Sequence, residues 1–546
     1  MRYNVAIDAK DVIALLSGSY HLEIQTHRKK PYGIIRTSYR EAGKVKHKTI
    51  ATLPGLTIEQ LRAVQAALQN KALPKSEFKI LSSREYGASF VGLSIAKELG
   101  LHKIIHSQYS QTWVKSALAM IVGRLVFQGS KLSLSHCSSY SSLWEICGID
   151  DTIDVDIHCY DAMDRLFLRQ EAIQKSLAQK HLHDGTLVLY DITSCYMEGE
   201  YENSEIVEFG YNRDKKRGHE QIVISLLCNK DGCPVAVEVF KGNTKDETTV
   251  VDKINEIQQK YGIQNVIFVG DRGMITKSVY AKIDHETIRT ITALNHSSIQ
   301  DLCDKGAIQL SLFDEENIVE IVDGNIRYML CKNPVMQQKE SSVRNRLVEL
   351  TCAELDKIIA STRKTKYSKA VRAGRIIDKF KMAKFVIIEG SDDNLTYQLD
   401  HDKIKKESAL DGCYIVFTDV SSEDMTAIET VKNYKSLIKV EQAFRNLKTA
   451  RLEMRPIFHK TDDRIKCHVF ICMLAYYIMW HMRQRLLPLD EIDGIGGDRK
   501  YSFNHVLEIL KSIRIDDVQF ADAKTSVRTT PNEEQSLLLN LLGVAM

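Results

Sequence analysis

The chain has no CxxC pair, and its 12 cysteines and 17 histidines in 546 residues are scattered without a zinc-ribbon pattern. That lack excludes a zinc ribbon and a disulfide framework, and reads the cysteines as reduced, packed thiols of an intracellular protein. Charge of one sign is missing too: 74 Lys and Arg stand against 71 Asp and Glu, a formal net charge of +3. The total therefore announces no partner, and the distribution along the chain must do so. The longest apolar run, VFICMLAYYIMW at 469–480, is too short to span a bilayer and predicts a buried helix. The opening MRYNVAIDAKD has no apolar signal core, and no internal repeat is present. No membrane partner is expected.

What is present suits a multidomain globular chain, with 44% hydrophobic residues to build its cores. Residues 1–80 predict a small module: strands YGIIRTSYRE and KVKHKTIATL about a turn at Ala42 and Gly43, then a helix. Its basic residues include Arg28, Lys29, Lys30, Arg36 and Arg40, interleaved with Tyr32 and Tyr39. Such a hairpin suits phosphate-backbone contact or is a solvated face, with equal weight. Residues 81–180 show apolar spacings of three and four and predict helices, for DNA-end binding, dimer contacts or structure alone. From 186 the pattern turns to strands. TLVLYDIT, EIVEFGYNRD, QIVISLLCN and PVAVEVF precede a helix, TTVVDKINEIQQKYG, and a further strand, NVIFVGD. This order suggests an α/β, ribonuclease-H-like core over 181–300.

The chemistry concentrates in three acids. Asp191 and Asp271 each follow a short β-rich apolar run, so both are expected at the carboxyl ends of buried strands, where ligands of open α/β sheets gather. In YKSLIKVEQAFRNLK, Tyr434, Glu441 and Lys448 recur at intervals of seven and would share one face of a single helix. Leu437, Val440, Phe444 and Leu447 form the neighbouring apolar stripe that docks it. Two strand-end aspartates and a helical glutamate suggest a metal-binding triad. Between Asp271 and Glu441 lies more chain than a crossover needs. IVEIVDGNIRYML, KFVIIEG, NLTYQLD and GCYIVFTD suggest a β-rich insertion over 301–430. Within it, 361–385 carries nine Lys or Arg against Asp378 alone, including Arg363, Lys364, Lys366, Lys369, Arg372 and Arg375. Those six are candidate DNA contacts, or parts of a flexible solvated loop. Residues 431–488 would complete the core, and 489–546 reads as a helical tail.

Five segments in order, LYDIT, GYNRDKKRGHEQIVISLLCNKDGCPVAVEVFKGNTKDETT, VIFVGDRGM, YKSLIKVEQAFRNLK and RPIFHKTDDRIKCHVFICMLAYYI, resemble an insertion-sequence transposase of the DDE type. The group is the one with a Tyr-Arg-Glu-Lys signature and a β-rich insertion in a ribonuclease-H-like domain. The resemblance implies catalytic, metal-binding roles for Asp191, Asp271 and Glu441, and phosphate contact by Tyr434 and Lys448. Leu437 stands where the signature has arginine, so that contact is expected either to pass to Arg445 or Lys439 or to be weaker. It further implies two Mg²⁺ ions, with Mn²⁺ as a substitute, acting on double-stranded DNA: element ends and target. A homodimer on DNA and a cytoplasmic, nucleoid-associated location complete the expectation. A nuclease without strand transfer and an inactive DNA-binding relic are the alternatives.

Overall fold

The computed structural model describes residues 20–26, 31–41, 43–69, 78–150, 152–214, 216, 218–294, 296–304, 318–362, 367–391, 394–448, 451–492, 501–520 and 523–546. The chain divides into two compact units. One comprises Met1–Phe90, Cys137–Leu143 and His505–Asn540; the other comprises Val91–His136, Trp144–Asn504 and Leu541–Met546.

In the first unit, strands Tyr20–Gln25, Tyr32–Glu41 and Lys44–Pro54 form an antiparallel sheet. The helix Ile58–Leu68 covers it, started by a Thr57/Gln60 capping box that satisfies two backbone donors at once. Gly33 is required beneath it, since a Cβ there would lie 2.6 Å from Leu61. The expected basic hairpin is thus present, with Lys44, Lys46 and Lys48 exposed along the third strand. Arg28, Lys29 and Lys30 lie outside the described residues. The expected helical tail is corrected: Arg514–Phe520 and Ala523–Arg528 are strands, and the former pairs with Phe78–Glu85. Asp516 and Asp517 accept hydrogen bonds from Ser83 and Ser82 across that pair, so polar residues that read as non-strand are paired edge to edge.

The second unit is built on an eight-stranded sheet. In chain order its strands are β1 (Thr186–Tyr196), β2 (Gln221–Asn229), β3 (Pro234–Lys241), β4 (Val266–Gly270), β5 (Ile288–Ala293), β6 (Val319–Asp323), β7 (Ile326–Lys332) and β8 (Cys413–Thr418). Across the sheet they run β6-β7-β8-β5-β4-β1-β2-β3. β1 and β5 are parallel to β4, whereas β1, β2 and β3 form an antiparallel meander. QIVISLLCN is almost wholly buried, as a strand covered on both faces requires. Of the expected strand EIVEFGYNRD, only an isolated bridge from Glu208 to Gln221 exists.

The helices that matter to the site are α1 (Gln170–His181), α2 (Asp246–Gln259), α3 (Ala427–Lys435), α4 (Ile438–Lys448) and α5 (Asp462–Arg485). The run 469–480 lies in α5 and is buried as expected; α5 packs on β3, on helix Thr112–Val126 and on α4. It is long and apolar enough to cross a membrane by composition, yet 83% of its apolar window is enclosed by the fold.

The segment 301–430 differs from a separate β-rich body. The expected strands form, but β6, β7 and β8 extend the main sheet, and among the described residues only Val386–Glu389 and Thr396–Leu399 pair apart. Helices Pro334–Ala360 and Lys369–Phe380 fill much of the remainder. The basic run is therefore in large part an ordered helix. Ser368 caps it, and Ala373 and Ile377 sink into a cluster with Leu355, Met382 and Phe385.

Candidate active site

β1 and β4 pair in parallel with Tyr190 opposite Gly270, so the next residues, Asp191 and Asp271, leave the last shared rung side by side. Asp271 follows the end of β4, as expected. Asp191 is not at a strand end: β1 continues to Tyr196, held by β2 after β4 has stopped. The acid is in mid-strand, where the sheet loses its neighbour on one side. Burial pushes its carboxyl up to about 7, and the negative charges of Asp271 and Glu441 add to that rise, with Arg213 opposing it. Asp191 therefore lies within reach of the charges of both Asp271 and Glu441. Arg213 is held by Asp246 in the first turn of α2.

Glu441 is exposed in the first turn of α4, whose buried side carries Val440, Phe444 and Leu447. Those residues form the stripe anticipated from sequence. A single helix from Tyr434 to Lys448 is corrected, however. α3 ends at Lys435, and the Ser436 N–H is shared between the carbonyls of Lys432 and Asn433. The Ser436 hydroxyl also donates to the Lys432 carbonyl, 3.1 Å away, a local bond that competes with the regular ladder. Leu437 is buried in this break.

Tyr434 nevertheless reaches the site from α3. Its hydroxyl donates to Asp271 Oδ1 at 3.3 Å, and burial raises its pKa, reinforced by Asp271 and Glu441. Lys448 points inward. Its ammonium donates to Thr193 Oγ1 at 2.6 Å and to the Ser194 carbonyl, and lies 3.4 Å from Asp214. Burial lowers its pKa while Asp214 opposes the fall. Asp214 also pairs with Arg455 at 2.9 Å, and that guanidinium stacks over Tyr196. Asp214 and Arg455 thus join the end of α4 to β1. Both lie in the GYNRD and RPIFHK segments, but nothing in their spacing marks them as partners.

Arg445 is exposed in the last turn of α4. Arg363, Lys364 and Lys366 lie outside the described residues. Lys369 is engaged by the Ile359 carbonyl at 2.7 Å, near the end of helix Pro334–Ala360. Arg372 is half-buried, and Arg375 is exposed with its guanidinium over the Tyr367 ring.

A family model described as Transposase DDE domain matches residues 182–478, more than half of the chain. The chain belongs to the DDE transposase family. The match begins just before β1 and ends in α5, enclosing all three acids. Transposases of this family cleave nucleic acid and generally use divalent metal ions. No curated protein matches the sequence. A solved structure, the cryo-EM structure of the piggyBac transposase synaptic complex with hairpin DNA, is similar at 8% identity over 73% of this chain and 70% of that one. Its TM-score of 0.34 is too low to position any residue of this transposase.

Proposed function

We propose that this transposase binds the terminal inverted repeats of an insertion sequence, cleaves the ends and joins the freed 3′-hydroxyl strand to target DNA. The observation that carries the reading is the pairing of β1 with β4, which sets Asp191 beside Asp271 within a matched transposase DDE domain, with Tyr434 bonded to Asp271 from the helix before Glu441. Three oxygen-donor carboxylates fit a hard divalent cation such as Mg²⁺, with Mn²⁺ as a substitute. The strand order β3-β2-β1-β4-β5 supports a ribonuclease-H-like core, enlarged by β8, β7 and β6.

Asp191, Asp271 and Glu441 would hold two such ions, which when bound activate the attacking oxygen and stabilise the departing one. Tyr434 orients Asp271 through its hydroxyl. Lys448 keeps α4 on β1 two residues beyond Asp191, and so fixes Glu441 relative to that acid. Phosphate contact falls to exposed cations such as Arg445. The setting we infer is a homodimer on double-stranded DNA, in the cytoplasm and nucleoid.

The test is incubation with Mg²⁺, labelled element ends and plasmid. Joined products are expected. Cut products alone would instead make the protein a nuclease, and a mobility shift alone a DNA-binding relic. Asp191→Asn, Asp271→Asn and Glu441→Gln should each abolish cleavage yet retain end binding, because each removes a ligand charge and no basic group.

A further inference from the structure

A second group of potential metal ligands lies apart from the three acids. His181 ends α1, Cys233 sits in the turn between β2 and β3, and His481 lies on α5. One ligand atom from each falls within 4.8 Å of the other two. We propose that His181, Cys233 and His481 form a binding site for a borderline divalent cation of the zinc class, clamping the β2–β3 turn to α1 and α5.

Donor type argues first. Two imidazoles and a thiol select zinc-like ions over Mg²⁺, which prefers oxygen. Bond lengths of about 2.0–2.3 Å place tetrahedral ligand atoms about 3.3–3.6 Å apart, so the group needs to close by at most about 1.5 Å on binding. Unmet valence argues second: His481 Nε2 is buried with no hydrogen-bond partner, which is costly for a polar nitrogen unless something binds it. Orientation argues third. The Tyr477 hydroxyl lies 2.8 Å from His181 Nε2, the kind of outer contact that fixes a metal-binding ring. On binding, the Cys233 thiol ionises and its proton passes to solvent. Three protein ligands leave a fourth position for water.

The clamped turn has another neighbour. Gly232, at φ +86°, is pressed against Lys439, where a Cβ would lie 2.9 Å from that residue's Cβ. Lys439 Nζ donates to the Lys230 carbonyl at 2.8 Å. Lys439 precedes Glu441 by two positions on α4, so the cation would stiffen the turn supporting the glutamate helix.

Metal-free protein should be titrated with Co²⁺ and followed by absorption. A thiolate-to-cobalt charge-transfer band saturating at about one equivalent is expected, since oxygen ligands at the acid triad give no such band. Cys233→Ser should abolish the band, and His481→Gln should weaken Co²⁺ affinity at this site at least tenfold, as removal of one ligand does. Zn²⁺ should raise the melting temperature of the wild type more than that of either variant. Absence of the band in folded wild type, or its persistence in Cys233→Ser, would overturn the proposal. Should Cys233→Ser fail to fold, an undiminished affinity in His481→Gln would overturn it equally.

Discussion

Asp214→Asn isolates the interaction that ties α4 to β1. Asp214 is 3.4 Å from Lys448 and 2.9 Å from Arg455, with side-chain exposures of 19% for the acid, 9% for the lysine and 19% for the arginine. At separations near 3 Å each pair has a gross attraction of about 5 kcal/mol with an effective dielectric constant near 20, much of it offset by desolvation. Asparagine keeps one acceptor oxygen but leaves two cations side by side without a counter-charge. Partial exposure lowers the cost below that of a fully buried pair, giving a net destabilisation of roughly 2–3 kcal/mol. Urea unfolding of the wild type, Asp214→Asn, Lys448→Met and the double variant should show a coupling of about 1–2 kcal/mol between the two positions. Because Thr193 and Asp191 share β1, loosening Lys448 should also slow end cleavage by on the order of 10- to 100-fold, as ångström-scale misplacement does. A destabilisation below about 0.5 kcal/mol, with additive single effects, would refute the anchoring role.

Leu437→Arg places a guanidinium in the buried break between α3 and α4 and should cost about 3 kcal/mol, measured by urea unfolding. A variant of unchanged stability that binds 5′-phosphorylated ends more tightly would assign the position to phosphate contact instead. Burial and the nearby cations Lys131, Arg464 and Arg124 lower the His459 pKa from 6.5 to about 3. Its neutral ring therefore stabilises the fold fully above pH 6.5, and this contribution is lost as pH falls from 6.5 towards 3, where the unfolded chain alone takes up the proton. His459→Gln should flatten the fall in urea midpoint across that window; an unchanged slope would contradict the assignment. Replacing Arg372 and Arg375 with alanine should reduce the slope of log K against log salt by about 0.9 for each phosphate left without its cation. An unchanged slope would leave helix Lys369–Phe380 outside the DNA interface.

Where the sequence was legible, one element carried its own signal. TLVLYD and NVIFVGD are short apolar runs ending in acid, and their pairing in parallel puts Asp191 beside Asp271. The stripe Val440, Phe444 and Leu447 likewise announced the buried side of α4. What escaped depended on distant partners. Asp191 proved to be in mid-strand because β2 outlasts β4 along β1, which no local pattern encodes. The break at Ser436 and Leu437 was hidden because apolar spacing runs through it undisturbed. RIDDVQF, read as part of a helical tail, is a strand whose aspartates accept hydrogen bonds from serines of the distant Phe78–Glu85. His181, Cys233 and His481 lie too far apart in sequence to resemble any metal motif, and only the packing of α1 and α5 against the β2–β3 turn assembles them.

Whether Asp191, Asp271 and Glu441 together hold a divalent cation is tested most directly by replacing that cation with Fe²⁺ and mapping where peroxide and ascorbate cut the polypeptide. Radicals generated at a bound iron break the chain within a few ångströms of it. Cuts clustered near residues 191, 271 and 441, suppressed by excess Mg²⁺, are predicted; any cuts near 181, 233 and 481 should yield to Zn²⁺ instead. Cleavage at only one of the three acids, or a pattern indifferent to Mg²⁺, would contradict the claim.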